Sequence, residues 1–133
     1  MRFLETDAIL RYLTRDDEKK AAAVLTLLRK VESGRERVVT SPMVIFEVVF
    51  TLQSYYKVPK SELREKVLTI LDLRGLSLEH KDVFAAALEC YCDLNLPFAD
   101  AFNACYMKSS GLNEIYTYDE DYERIDGIKR VAP

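Results

Sequence analysis

An α/β fold with parallel strands is the expectation for this chain, and three observations carry it. Short β-like runs alternate with longer amphipathic stretches along the whole length. The chain opens strand-turn-helix within a dozen residues, MRFLETDAILRYL. Its acids recur where strands end or helices begin, the edge at which open parallel sheets bind ligands.

The elements follow in order. Arg2–Glu5 reads as a strand and Asp7–Leu13 as a helix, with Glu5 closing the strand and Asp7 as the helix N-cap. A carboxylate at the end of an apolar strand has no comparable structural role and is costly without a cation, so Glu5 points to function. Asp16–Val31 is amphipathic, with Ala21, Val24, Leu25, Leu28 and Val31 on one face. Lys19, Lys20, Arg29 and Lys30 make its polar side. Arg37–Thr40 is the second strand. Ser41 and Pro42 then suit the N-cap and first position of a helix over Met43–Tyr56.

That helix is apolar on both sides: Val44, Ile45, Val48, Val49 and Leu52 on one, Phe46 and Phe50 on the other. The remaining seam is Glu47, Thr51 and Ser54, so burial is expected, with Glu47 facing a polar cleft. Ser61 caps a helix to Leu73, Gly75 ends it, and Leu76–Leu78 is a third strand. Lys81–Asp93 is helical, with Val83, Phe84, Ala87, Leu88 and Tyr91 towards the core. Pro97 opens a helix over Phe98–Lys108 that carries Asp100 and stops at Gly111. Glu114–Tyr118 and Ile128–Val131 are the last strands, with the acid-rich Asp119-Glu120-Asp121 between them.

Composition sets bounds. The 133 residues suit one domain spanning 1–133, and 49% apolar with 31% charged residues is ordinary for a soluble globular protein. No run approaches the roughly 18 apolar residues of a membrane span, and the early carboxylate argues against a signal peptide. Cys90, Cys92 and Cys105 suggest reduced, buried thiols of a cytoplasmic protein. His80 is the only histidine, which excludes a His–His acid/base ribonuclease and a His-rich zinc site. The glycines stand singly at 34, 75, 111 and 127, so no phosphate-cradling loop exists. A net charge of −3 sits poorly with a nucleic-acid binder unless the carboxylate surplus is partly gathered at a metal.

Carboxylate chemistry remains: Glu5, Glu47, Asp100 and Asp119, with Asp7 and Asp121 in reserve. Such acids converging without counter-charge repel one another. Mg²⁺ or Mn²⁺, hard cations that prefer oxygen ligands, resolve the repulsion and support phosphodiester hydrolysis.

The motifs resemble those of the PIN-domain family, especially the VapC-type toxin ribonucleases of toxin–antitoxin pairs. FLETDAILRYLTRDD is similar to that family's opening motif, with Glu5 and Asp7 where Asp and Asn are usual. PMVIFEVVFTL resembles the second motif and puts its glutamate on Glu47. LPFADAFNA resembles the third, with its acid on Asp100, and TYDEDYERI the fourth, with its acid on Asp119. The resemblance implies a three-layer α/β/α sandwich around a parallel sheet of four to five strands. It implies a Mg²⁺- or Mn²⁺-dependent endoribonuclease with Glu5, Glu47, Asp100 and Asp119 as catalytic and metal-binding acids, supported by the hydroxyls of Thr6 and Thr117. A homodimer and a cognate antitoxin are implied as well, with Met43–Tyr56 and Ser61–Leu73 as the candidate interface. The rival is an interaction protein on the same scaffold, silenced by Glu5 and Asp7. A phosphoacceptor signalling domain is disfavoured, since neither Val38–Thr40 nor Leu76–Leu78 ends in Asp and Tyr116–Asp119 contains no Lys.

Overall fold

The computed structural model describes all residues, Met1–Pro133, and divides them into two compact units, Met1–His80 and Lys81–Pro133. The architecture is α/β, mostly helical, and every strand pair is parallel. The strands are short and belong to two sheets, three in the first unit and two in the second.

In Met1–His80 the order is β1 (Arg2–Phe3), α1 (Thr6–Thr14), α2 (Glu18–Glu32), β2 (Val38–Val39), α3 (Pro42–Ser54), α4 (Lys60–Leu71) and β3 (Leu76–Ser77). The sheet runs β1-β2-β3, with Arg2 opposite Val38 and Val38 opposite Leu76. Its pairing outruns the strands proper: Leu4 N–H donates to the Val39 carbonyl (2.8 Å) and Thr40 N–H to that of Ser77 (3.0 Å). Thr40 is buried, and its hydroxyl donates to the Leu4 carbonyl at 2.7 Å. This bond fastens the end of β1 to the end of β2, immediately before α1 and α3 begin. Gly75 has a steric role instead of ending α4, which stops at Leu71. A Cβ there would lie 2.6 Å from the Glu36 carbonyl oxygen and 2.7 Å from that of Val31.

Several boundaries differ from expectation for identifiable reasons. β1 ends at Phe3 and α1 begins at Thr6, so Glu5, not Asp7, is the N-cap; its side chain accepts the Asp7 N–H. Asp7 lies in the first helical turn, where its charge meets the helix dipole favourably. Asp17 caps α2, accepting from Lys20 N–H at 3.1 Å. Ser41 and Pro42 hold the expected cap and first positions of α3. Ser61 does not cap α4, whose N-cap is Pro59 without a side-chain bond. Nor is α3 buried all round: Val44, Ile45, Val48, Val49 and Leu52 are buried, but Met43 and Phe50 are 68% and 44% exposed.

In Lys81–Pro133, α5 (Lys81–Asp93) has the expected bounds and buries Val83, Phe84, Ala87, Leu88 and Tyr91. It packs against α6 (Phe98–Ser109), with Phe84, Tyr91 and Phe98 in ring contact. Pro97 is the N-cap of α6, one position earlier than expected, and Gly111 takes a left-handed conformation (φ 73°) just past its end. β4 (Glu114–Tyr116) pairs in parallel with β5 (Lys129–Val131), and a 3-10 turn, Glu120–Arg124, lies between them in sequence. The three cysteines are free thiols, half-buried rather than fully buried. Burial pushes the Cys105 thiol up to about 11, with Cys90 close by adding to the effect. No helix is long and apolar enough to cross a membrane.

Thr40→Val keeps the side chain's shape but removes the donor to a buried carbonyl, and should cost roughly 1–3 kcal/mol in urea unfolding. A variant as stable as the wild type would show that this hydroxyl does not hold the sheet end together.

Candidate metal and catalytic site

Each unit presents its own set of the expected residues. In Met1–His80 the caps of α1 and α3 place them. Thr6, the first residue of α1, is buried, and its hydroxyl donates to Glu47 Oε1 at 3.2 Å. That bond ties α1 to the second turn of α3. Glu47 itself is exposed, so the hydroxyl orients a solvated carboxylate, not one sequestered from water as expected. Glu5 precedes Thr6 and is exposed too. The Asp7 N–H is the main reason its carboxyl titrates below the usual glutamate range. The cap engages one Glu5 oxygen, Oε2, and Thr6 adds to the effect.

In Lys81–Pro133 the geometry is tighter. Carboxylate oxygens of Asp100, Asp119 and Asp121 all lie within 4.8 Å of one another. Asp100 projects from the first turn of α6. Asp119 is the N-cap of the 3-10 turn: its Oδ1 accepts the Asp121 N–H at 2.9 Å, and its own N–H donates to Thr117 Oγ1 at 3.0 Å. Thr117 thus shapes the backbone that presents Asp119. Asp121 is further steadied by Arg124, whose Nη1 lies 3.6 Å from Oδ1.

Two members of this site were not singled out from sequence. Tyr122 is a buried tyrosine whose hydroxyl donates to Asp100 Oδ1 at 3.3 Å and accepts from Asn103 Nδ2 at 3.1 Å. Asn103 lies three residues after Asp100 on α6, and Tyr122 three after Asp119. That matching offset from two motif acids was the available signal.

The electrostatics mark the cluster as short of positive charge. Burial first, then the charge of Asp119, pushes the Asp100 carboxyl above its usual range, and the Tyr122 hydroxyl only partly offsets this. Oxygen donors alone, three of them carboxylates, are the ligand set of a hard divalent cation, so these residues fit Mg²⁺ or Mn²⁺.

The raised Asp100 carboxyl makes the stability of this unit depend on pH. The folded chain holds this proton to higher pH than the unfolded chain does. Stability is therefore lost as pH rises from the unfolded value through the folded one, and the loss persists at neutral pH. In EDTA, Asp100→Asn should melt above the wild type at pH 7, and the advantage should vanish near pH 3, once the wild-type carboxyl is protonated. Adding Mg²⁺ should raise the wild-type melting temperature more than that of the variant. An Asn variant less stable than wild type at neutral pH would contradict the charge crowding described here.

Comparison with known proteins places the chain in a family. The chain aligns over its full 133 residues, at 25% identity, with a VapC ribonuclease of Aquifex aeolicus (strain VF5), covering 97% of that protein. The model of the PIN domain matches residues 2–128, a span that takes in both units and all the acids above. This chain belongs to the PIN domain family.

Proposed function

We propose that the chain is a metal-dependent endoribonuclease, the toxin of a VapBC-type toxin–antitoxin pair, acting in the cytoplasm as a single functional domain over residues 1–133. The observation that supports it most is the three-aspartate cluster in a chain aligned end to end with a VapC ribonuclease. Asp100 and Asp119 are the metal-binding acids of the second unit, with Asp121 beside them. Glu5 and Glu47 are those of the first.

A divalent ion bound by these acids would supply an acidified water and charge neutralisation at a phosphodiester. The chain's own groups orient the acids. Thr6 holds one Glu47 oxygen, the Asp121 N–H holds one Asp119 oxygen, and Tyr122 holds one Asp100 oxygen. For assembly, we propose a homodimer and an antitoxin partner that use the exposed Met43, the exposed Phe50 and the half-exposed Phe46 of α3, together with α4.

Single-stranded RNA incubated with the purified full chain should be cut in Mg²⁺ or Mn²⁺ and left intact in EDTA. Glu47→Gln should lower cleavage by at least about a hundredfold while melting within a few degrees of wild type. Cleavage that survives both Glu47→Gln and Asp100→Asn would assign the activity elsewhere. A wild-type chain that cuts no RNA would favour an interaction protein on the same scaffold.

Asp7 and Glu5 separate in the same assay. Asp7→Asn removes no cap, so stability should change by less than about 0.5 kcal/mol, whereas Glu5→Ala removes the α1 cap and should cost roughly 1 kcal/mol. Glu5→Asp should keep cleavage. Equal losses of stability in the Asp7 and Glu5 variants would overturn the assignment of the cap.

A further inference from the structure

A cavity of about 360 Å³ opens on the Met1–His80 unit, lined by Asp7, Arg11, Asp16, Thr51, Tyr55 and Tyr56 among others. Its volume falls in the range of small-molecule sites, roughly 300–1,000 Å³. It adjoins the residues already described. Asp7 follows Thr6, and Thr51 stands one turn beyond Glu47 on α3, about 6 Å along the helix axis.

Three of the lining residues are tied to one another. Arg11 Nη1 pairs with Asp16 Oδ1 at 3.2 Å, and the Tyr56 hydroxyl donates to Asp16 Oδ2 at 2.8 Å. Both Asp16 oxygens are thus engaged, and the Tyr56 bond is the main reason its carboxyl lies below the usual range. The Tyr56 ring meets Tyr55 edge-on, with centroids 4.9 Å apart and planes at 76°. Tyr55 is 77% exposed, so it contributes little to the core. The ring it meets, Tyr56, is nonetheless held by its bond to Asp16, which Arg11 pairs with in turn. An exposed aromatic ring braced in this way is suited to stacking a flat ligand, because part of the ordering cost is met before binding.

Charge decides what kind of flat ligand. Arg11 is offset by Asp16, leaving Asp7 as the surplus charge, so the cavity repels a phosphate and favours a neutral group rich in N–H donors. A carboxylate only accepts hydrogen bonds. Of the four RNA bases, guanine alone presents two adjacent N–H donors on its Watson–Crick edge, matching the two oxygens of Asp7. Its carbonyl oxygen suits an Arg11 N–H not used by Asp16, since a guanidinium carries five. Single-stranded RNA is read in this manner, by stacking on aromatic side chains and bonding at base edges.

We propose that this cavity is a guanine-selective nucleobase subsite, stacking the base on Tyr55 and reading its edge with Asp7, next to the Glu47–Thr6 pair. The proposal takes its substrate, RNA, from the ribonuclease reading above. It gives Asp7 a role in selecting the cleavage position that a helix cap or a metal ligand would not have.

Two measurements on the full chain test it. The first is binding of GMP, AMP, CMP and UMP in EDTA, followed by NMR, which needs no cleavage. GMP should bind most tightly and shift the Tyr55 ring signals. Tyr55→Ala should weaken it roughly five- to hundredfold, Tyr55→Phe should restore it, and Asp7→Asn should level the preference between GMP and AMP. The second is mapping of cuts on a mixed-sequence RNA, which should fall beside guanosine in wild type and spread to other bases in Asp7→Asn. GMP binding that is absent, or unaffected by Tyr55→Ala, would overturn the subsite, as would a cleavage pattern unchanged in both variants. Selective, Tyr55-dependent GMP binding in a chain that cuts no RNA would support the subsite and sink the ribonuclease reading alone.

Discussion

The buried Thr40 hydroxyl, bonded to the Leu4 carbonyl, is the constraint on which the arrangement of the first unit's acids depends. Two-residue strands pair weakly on their own, and a parallel ladder has little to hold its ends in register. Closing the gap beyond β1 and β2 with a side-chain donor fixes where the chain leaves the sheet. Glu5 and Ser41, the caps of α1 and α3, follow directly on the two bonded residues. From that starting geometry Thr6 reaches Glu47 across 41 positions of sequence. A displacement of either strand end would alter the placement of Glu5, Thr6 and Glu47 together.

The second unit solves a different problem, that of holding like charges near one another without a cation. It does so with donors rather than counter-charges: a backbone N–H on Asp119 and a phenol on Asp100, with Arg124 the one cation beside Asp121. Neutral donors orient an oxygen while leaving the carboxylate's charge for a ligand, which a salt bridge would partly cancel. The raised Asp100 titration records what this arrangement leaves uncompensated.

Much of this was legible in the sequence because long periodic elements advertise themselves. The α5 bounds and its five buried residues follow from apolar spacing alone, and the Ser-Pro start of α3 follows from cap chemistry. The misses are local competitions. Asp outranks Glu as an N-cap, so Asp7 drew the assignment; the chain instead leaves the sheet early, and Glu5 reaches the orphan N–H with its longer side chain. Ser61 lost to a proline already in extended geometry. The apolar surface of α3 overstated its burial, because Met43 and Phe50 lie outside the packed face. Tyr122 and Asn103 were hidden for another reason: their role depends on a 3-10 turn brought against α6, and no single-segment pattern encodes that meeting.

The sequential strand order of the first sheet also bears on the order of events during synthesis. Each of its strands pairs with the one made just before it, so every β1-β2-β3 partner exists once Ser77 has left the ribosome. The three clustered aspartates lie well downstream, the first at position 100. A chain that stalls at the end of the first unit carries a complete sheet and the glutamates of the early motifs, but none of those aspartates. Synthesis therefore separates the two sets in time: the first sheet can close before any carboxylate of the cluster is made.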